Sequence, residues 1–328
     1  MAGYARSNSV HDPVFYNYPL FLHKTFYPMG FPLSIATNSE FVLSAAEQSW
    51  SAFQRRFPTA PLILRLGVSE DAGLEARPIP AVRAQRDLIG FVGDAGNFVM
   101  GDLADGSGFG WLTPAVAQAT GFLRYHYLEA LALTLIDARF VATMHAACVV
   151  LDGKGVLLCG DSEAGKSSLA FACARRGWQY ASDDATCLLT DRSDRTVIGN
   201  PHRLRLRPDA GRLFPELKER LAEPRGNGKM SIEIATAKEA CIRPVAECRV
   251  HFVVYLQRQP VARASLLPFS REAALADFGR TIALGSPEQR TARMAQFRNL
   301  LEVPVSLLRY SDLEDAVDSL SCMVRSRN

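Results

Sequence analysis

An eight-residue segment, GDSEAGKS at positions 160–167, restricts the fold of this 328-residue chain more than any other part of its sequence. It satisfies the pattern G-x-x-x-x-G-K-[S/T], in which a buried strand passes through a tight loop into a helix. The preceding residues, Val156–Cys159, form a continuous apolar run, as a strand buried on both faces would. Residues 167–176 contain good helix formers, and Gly177 is suited to end the helix. The segment therefore predicts a strand, loop and helix of an α/β domain.

A loop of this composition is suited to binding a triphosphate. Its two glycines allow backbone conformations that other residues resist, so that consecutive N–H groups can turn toward one anion at the positive end of the helix. We expect Lys166 to reach the β- and γ-phosphates of ATP, and Ser167 to bind Mg²⁺ through its hydroxyl. The alternative is a glycine-rich turn that matches the pattern by chance. The residues predicted to bind the nucleotide are Gly160, Asp161, Ser162, Glu163, Ala164, Gly165, Lys166, Ser167 and Ser168.

Two adjacent aspartates follow the loop helix. The stretch QYASDDATCLL at 179–189 predicts a strand with Asp183 and Asp184 near its middle, where neighbouring side chains face opposite sides. Buried carboxylates are costly without a cation or hydrogen-bond donors. Bound Mg²⁺ would remove that cost for one carboxylate, and the other could accept the proton of an attacking hydroxyl group. The alternative is a pair of solvated loop aspartates.

A histidine upstream can be placed by counting along a hairpin. Residues 152–155 (DGKG) favour a tight turn between strands over 143–150 and 155–160. If the two central residues, Gly153 and Lys154, form the loop, His145 lies level with Ser162. This register predicts an imidazole at the edge of the nucleotide site, whereas a histidine at a strand end can also be purely structural.

The rest of the chain divides near residue 140, where alternation of strands and helices begins. Residues 1–139 are predicted to form a smaller α+β domain with a possible role in acceptor recognition, and 140–328 the catalytic domain. Within the first domain, the apolar stripe predicts one long helix over 114–139. Hydrophobic residues make up 48% of the chain, which is enough for a full core in each domain.

Composition also excludes several classes of function. The net charge of +3 is too small to favour a nucleic-acid partner. We expect no membrane span, since no window holds about 18 uncharged apolar residues, and no secretion signal at the start of the chain. The seven cysteines include no CxxC pair, which favours reduced thiols in the cytoplasm over a metal site. The N-K-x-D motif of regulatory GTPases and the L-S-G-G-Q motif of transporter ATPases are both absent.

Residues 144–184, MHAACVVLDGKGVLLCGDSEAGKSSLAFACARRGWQYASDD, resemble the core of the HPr kinase/phosphorylase family. The shared order is a histidine, a hairpin, the phosphate loop, its helix, an R-G end and a strand with paired aspartates. The resemblance implies an α/β P-loop domain of the HPr kinase/PEP carboxykinase type with a mixed sheet. It further implies ATP and Mg²⁺ as cofactors and transfer of phosphate to a seryl hydroxyl of a protein. By the same resemblance, Asp183 is the proton acceptor, Asp184 a metal partner and His145 their neighbour.

The sequence departs from that family in two places. Residues 223–228 (EPRGNG) keep part of a glycine-rich stretch of its bifunctional members, but Lys229 follows where an apolar residue is usual, which leaves phosphorylase activity open. Arg225 and Lys229 could instead stabilise charge on the transferring phosphoryl group, or lie in an exposed loop. The first 140 residues do not match the family's usual N-terminal domain, so HPr itself is not assumed as the acceptor.

Three functions remain open. The first is a kinase for a serine of a protein or peptide, and the second is a kinase for a small-molecule hydroxyl with a closed acceptor pocket. The third is a switch that binds ATP and transfers nothing, against which the intact pair of aspartates argues. Residues 203–207 (RLRLR) alternate basic and apolar side chains, and this basic face could dock an acidic acceptor or protect a solvated edge strand. A homo-oligomer is possible.

Overall fold

The computed structural model describes residues 18–70, 77–224, 228–282 and 284–326. The chain divides into two compact units, Met1–Arg139 and Phe140–Asn328. None of the helices within the described ranges has the length and the apolar character that a membrane crossing requires.

In the described part of the first unit, seven strands form one sheet in the order β1-β2-β3-β7-β6-β5-β4. The pairs β2–β3 and β3–β7 are parallel, and the other neighbours are antiparallel. Helix α1 packs on β1 and β2, and helix α4 packs on β6. The elements are β1 Leu22–Phe26, β2 Leu33–Thr37, α1 Glu40–Trp50, β3 Leu62–Val68, β4 Ala81–Gln85, β5 Leu88–Asp94, β6 Asn97–Asp102, β7 Ser107–Leu112, α2 Pro114–Gln118, α3 Thr120–Leu123 and α4 Glu129–Arg139.

The single long helix predicted over 114–139 is wrong. Ala119 leaves the helical region at φ −80° and ψ 70°, so that α2 ends at Gln118. Between α3 and α4, Arg124–Leu128 form a wider π-helical turn. The spacing of apolar residues did not reveal these irregularities, because it looks the same whether or not the helix contains a one-residue break or a widened turn.

In the described part of the second unit, ten strands form a mixed sheet. Its main path is β17-β11-β9-β10-β18-β13-β12-β8, and β20 pairs with β18 and with β19. A separate three-stranded sheet has the order β14-β16-β15. The strands are β8 Val141–Met144, β9 Ala147–Leu151, β10 Lys154–Cys159, β11 Gln179–Ser182, β12 Thr186–Leu189, β13 Thr196–Ile198, β14 Arg203–Leu206, β15 Glu223–Pro224, β16 Met230–Ala235, β17 Arg243–Pro244, β18 Glu247–Arg258, β19 Ser265–Pro268 and β20 Val305–Tyr310. The helices are α5 Lys166–Arg175, α6 Arg271–Gly279, α7 Pro287–Leu300 and α8 Leu313–Arg325.

Strand β10 lies at the centre of this unit, between two apolar layers. Val156 and Leu158 join the core formed with α5 and α8, whereas Leu157 and Cys159 join the core formed with α6 and α7. All four side chains are buried, which explains why the run shows no polar alternation. The mixed α/β class predicted for this part of the chain is confirmed, and β10 delivers the chain to the edge of the sheet at Gly160.

Two strands predicted as continuous are each broken, and the breaks lie opposite each other. The predicted strand 143–150 is split between β8 and β9, and the predicted strand 179–189 is split between β11 and β12. Across the break, Ser182 pairs with Cys148 while Thr186 pairs with Met144. The two segments therefore stay paired with each other on both sides of the break, with the same register across it, which leaves His145 beside the paired aspartates.

Candidate functional site

The loop from Gly160 to Gly165 joins β10 to α5 and turns through positive φ at three positions. Gly160 has φ 140° and Gly165 has φ 94°, which side chains with a Cβ rarely adopt. Glu163 also lies in the left-handed region, at φ 75°. Gly165 occupies the N-cap position of α5 and offers no capping side chain. The amides of the first helical turn, which lack intrahelical partners in any α-helix, can therefore serve an anion.

Lys166 is buried in this loop although it carries a charge. Its Nζ donates hydrogen bonds to the carbonyl oxygens of Gly160 at 2.7 Å and Asp161 at 3.0 Å. Burial lowers the pKa of the Lys166 ammonium, and the carboxylate of Asp184 opposes that shift. The ammonium group is thus held over the loop by the loop's own backbone, with an acidic side chain close enough to stabilise its charge.

Asp183 is buried, and hydrogen bonds reach both of its carboxylate oxygens. The Tyr180 hydroxyl shares its proton between Oδ1 at 3.1 Å and the Arg203 carbonyl oxygen at 2.8 Å, and the backbone N–H of Arg205 donates to Oδ2 at 2.8 Å. Burial raises the pKa of Asp183 to about 6, with the charge of Asp184 acting in the same direction, while these two donors and the charge of Arg205 oppose the shift. A carboxyl group with a pKa in this range can exchange a proton near neutral pH.

The backbone of Asp183 also meets the phosphate loop. The Ser167 hydroxyl donates to the Asp183 carbonyl oxygen at 3.3 Å. Ser167 and the paired aspartates therefore lie at one place, although Ser167 is on α5 and the aspartates lie between β11 and β12. Ser168, the last of the predicted loop residues, is partly exposed on the first turn of α5.

Asp184 has the opposite environment to Asp183. Its side chain is 52% exposed, and its Oδ1 lies 3.1 Å from Nδ1 of His145, whose side chain is 56% exposed. The same ring nitrogen lies 3.1 Å from the Asp184 carbonyl oxygen. The structure thus brings His145 and Asp184 together in an accessible pair beside the buried Asp183.

The predicted hairpin register, which placed His145 level with Ser162, is wrong by two residues. Lys154 pairs with Leu151, so the turn consists of Asp152 and Gly153 at φ 50° and 74°. Two positive φ angles are typical of the type I′ turn that an Asp-Gly pair favours. His145 reaches the site through the break between β8 and β9 rather than through the predicted register with Ser162.

The predicted cations on the glycine-rich segment are only partly described. Arg225 lies outside the described residues. Lys229 is exposed and precedes β16, next to Gly228 at φ 76°. Its role therefore stays a prediction.

The predicted basic face of residues 203–207 is present in the structure, and acidic side chains lie opposite it. Arg203 and Arg205 both pair with Glu233 on β16, at 3.5 and 3.0 Å. Arg207 pairs with Glu163 of the phosphate loop at 2.9 Å. Strand β14 is an edge strand of its small sheet, and it connects that sheet to both the loop and Asp183.

Two further side chains around the loop were not predicted from the sequence. Tyr310 on β20 donates to the Ala164 carbonyl oxygen at 2.8 Å. Asp277 on α6 accepts a hydrogen bond from Tyr255 at 2.8 Å, and its charge acts on the Lys166 ammonium. No motif carries these residues, because their proximity depends on strand order and not on spacing along the chain.

The residues around the loop are compatible with Mg²⁺ bound together with a nucleotide. Within the described ranges, no group of three or more histidine, cysteine or acidic residues surrounds a single point. Mg²⁺ in nucleotide sites is usually held by one or two carboxylates together with phosphate oxygens, so such a cage is not required. The hydroxyl of Ser167 and the exposed carboxylate of Asp184 are hard oxygen ligands of the kind that Mg²⁺ prefers.

Comparison with known proteins identifies relatives of part of the chain. HPr kinase/phosphorylases of Burkholderia lata and Burkholderia cenocepacia are each 31% identical over 176 residues, which is 53% of this chain and 47% of the relative. The chain therefore spans about half the length of the curated relatives it matches. No family model matches the chain.

A solved structure of the Hpr(Ser) kinase/phosphatase from Coxiella burnetii aligns with 56% of this chain and 95% of its own, at 16% identity and a TM-score of 0.29. At that TM-score the alignment adds nothing to the sequence similarity. The resemblance predicted from the motifs is confirmed by the curated relatives: over about half of its length, this chain is related to the HPr kinase/phosphorylase family.

Proposed function

We propose that this chain is a kinase that transfers the γ-phosphate of ATP, with Mg²⁺, to a hydroxyl group, most simply a serine of a protein or peptide. Its catalytic unit would be a P-loop domain of the HPr kinase/PEP carboxykinase type. One observation carries the proposal: the buried carboxyl group of Asp183 adjoins the first turn of the phosphate-loop helix, where its backbone accepts the Ser167 hydroxyl. A protein that only bound ATP would need no buried acid at this point.

The residues would divide the work as follows. Backbone N–H groups of 160–168 and the Lys166 ammonium would hold the triphosphate. Ser167 and Asp184 would hold Mg²⁺, which when bound would offset negative charge on the phosphates. Asp183 would accept the proton of the attacking hydroxyl. The Tyr180 and Arg205 donors use only two of about four lone-pair positions on that carboxylate, which leaves room for a third contact.

Two further groups would assist in this scheme. His145 would orient the Asp184 carboxylate through their 3.1 Å contact. Lys229, together with Arg225, would stabilise charge on the phosphoryl group during transfer. Such contributions arise from positioning and electrostatics, because phosphoryl transfer requires little covalent chemistry from the protein.

A protein or peptide acceptor agrees best with the relatives, whose name, HPr kinase/phosphorylase, points to a protein substrate. The similarity covers less than half of each relative, so the acceptor of this chain can differ from theirs. A small-molecule kinase and a non-catalytic switch remain the alternatives, and the experiment below separates them. We place the protein in the cytoplasm, where ATP and reduced thiols are available.

The test is labelling with γ-³²P-ATP and Mg²⁺ in a lysate, followed by identification of the labelled product. We expect acid-stable phosphoserine in a polypeptide. Lys166→Ala should lose ATP binding and labelling together, whereas Asp183→Asn should keep ATP binding and lose labelling. Label confined to compounds of low mass would favour the small-molecule kinase. Binding of ATP without any transfer above the Lys166→Ala background would leave only the switch.

A further inference from the structure

A cavity of about 640 Å³ opens where strands β18 and β20 end. It is lined by residues 258–262, which follow β18, and by Ser311, which follows β20. Strands β10, β18 and β20 are parallel neighbours, so their carboxyl ends meet at one edge of the sheet. The phosphate loop follows β10 directly. The cavity and the loop therefore share the same edge.

Close contacts connect the cavity to the loop. Tyr310, the residue before Ser311, pairs with Arg258 in the sheet. Its hydroxyl donates a hydrogen bond to the Ala164 carbonyl oxygen of the loop. Gly160 lies so close to β18 that a Cβ there would be 3.2 Å from the Leu256 carbonyl oxygen. The strand order β11-β9-β10-β18-β20 places Asp183 on one side of the loop and the cavity on the other.

This arrangement restricts how a nucleotide could lie. The γ-phosphate must face the aspartates if it is to be transferred, so the nucleoside must leave the loop on the far side from them. The cavity is on that side, and its volume falls within the range of about 300–1,000 Å³ that is usual for small-molecule sites.

The side chains that line the cavity fit a purine nucleoside. Pro260 and Val261 offer apolar surface. Arg258 carries a planar guanidinium that can stack on an aromatic ring, and the amide of Gln259 can both donate to and accept from a base edge. Within the part of the chain that the structure describes, no hydrogen bond or ion pair engages the side chain of Arg258 or Gln259.

We propose that this cavity, the 258–262 cavity, binds the base and ribose of the nucleotide whose phosphates lie on the loop. The proposal rests on the proposed function only in requiring that the loop bind a nucleotide. It assigns Arg258 and Gln259 as the residues that distinguish a nucleoside triphosphate from a bare polyphosphate.

The experiment compares ATP with inorganic tripolyphosphate, each with Mg²⁺, by calorimetric titration of the full chain. Gln259→Ala and Arg258→Ala should each weaken ATP binding by about tenfold, the effect of one lost hydrogen bond or stacking contact, and leave tripolyphosphate binding unchanged. Matched controls are Gln257→Ala and Arg263→Ala, which remove the same side chains nearby but outside the cavity. Both controls should bind ATP like the unmodified chain.

Two results would overturn the assignment. If the cavity variants bind ATP as well as the unmodified chain does, the nucleoside lies elsewhere, and the proposed kinase activity is unaffected. If they lose ATP and tripolyphosphate equally, the residues act on the phosphates and not on the nucleoside. An unmodified chain that binds neither compound would refute the proposed function and this inference together, and that measurement is made before any variant is compared.

Discussion

The hydroxyl group of Tyr310 occupies the space in which a side chain at Gly165 would begin. It donates a hydrogen bond to the Ala164 carbonyl oxygen at 2.8 Å, and a Cβ built on Gly165 would overlap the hydroxyl oxygen. Burial raises the pKa of Tyr310 to about 12, so its hydroxyl stays protonated and able to donate at neutral pH. At the last glycine of the phosphate loop, a larger residue is thus excluded both by the Tyr310 hydroxyl and by the positive φ.

The first prediction follows from this contact. Gly165→Ala should weaken ATP binding by at least about tenfold, since the new methyl group must move either the loop or Tyr310. A further cost of about 1–2 kcal/mol arises because φ 94° is unfavourable for any residue with a Cβ. Calorimetric titration with ATP measures the first effect, and thermal unfolding measures the second.

Gly153→Ala is the matched control for Gly165→Ala. Gly153 also has positive φ, at 74°, but nothing lies within 4 Å of the position of its Cβ. It should show the backbone cost in unfolding and no change in ATP affinity. If Gly165→Ala bound ATP as well as Gly153→Ala does, the overlap with Tyr310 would not affect nucleotide binding by the loop.

Local sequence predicted the parts of this site that depend on neighbours along the chain. The apolar run before Gly160, the loop and the helix after it were all recognisable, because each follows from residue type and spacing. The Asp-Gly turn at 152–153 could also have been predicted correctly. Its two residues suit positive φ, whereas the predicted Gly-Lys loop would have placed a lysine there.

Contacts between distant segments could not be predicted in that way. The Arg205 amide of β14 donates to Asp183 although 22 residues separate them along the chain. Tyr310 reaches the loop because β20 lies two strands from β10 in the sheet. Strand order sets these distances, and an amphipathic pattern contains no information about strand order. The breaks opposite His145 were missed for the same reason, since the other neighbours of these strands in the sheet differ on the two sides of the break.

The second prediction concerns stability and pH without nucleotide or metal. Burial raises the pKa of Asp183 to about 6, so between about pH 4 and pH 6 the folded chain binds more protons at this group than the unfolded chain does. Stability must then fall as the pH rises through that interval. Asp183→Asn cannot ionise at this position and so does not lose this stability. The free energy of unfolding of the variant minus that of the unmodified chain should therefore increase between pH 4 and pH 7, by on the order of 2–3 kcal/mol.

Urea unfolding at each pH measures this difference. Asp209→Asn is the control, because Asp209 is exposed in the same unit, and its curve should run parallel to that of the unmodified chain. A curve for Asp183→Asn that also runs parallel would show that the folded structure does not disfavour the ionised form of the Asp183 carboxyl group.

The third prediction separates stability from catalysis at His145 and Asp184. Both side chains are more than half exposed, so their pairing should contribute no more than about 1 kcal/mol to the free energy of unfolding. A double-mutant cycle with His145→Gln and Asp184→Asn measures that coupling. The same variants should lower the rate of phosphate transfer by more than tenfold if the pair orients a group that contacts the substrates.

The fourth prediction tests Asp183 as the group that accepts the proton. If it does so, the rate of transfer should rise with pH through about 6 and level off above it, because only the ionised carboxylate can act. Tyr180 donates to that carboxylate and favours its ionised form, as do the Arg205 amide and guanidinium, while the neighbouring Asp184 opposes ionisation. Tyr180→Phe should therefore move the midpoint of the pH–rate profile upward.

Tyr255→Phe is the matched control for this shift. It also removes a hydroxyl that donates to a carboxylate, but the acceptor is Asp277 rather than Asp183, so the midpoint should not move. Rates are measured under single-turnover conditions with saturating Mg²⁺, so that binding and product release do not mask the proton transfer. A midpoint in Tyr180→Phe that stays in place or falls would mean that a group other than Asp183 controls the profile, and Asp184 would then be the next candidate for the base.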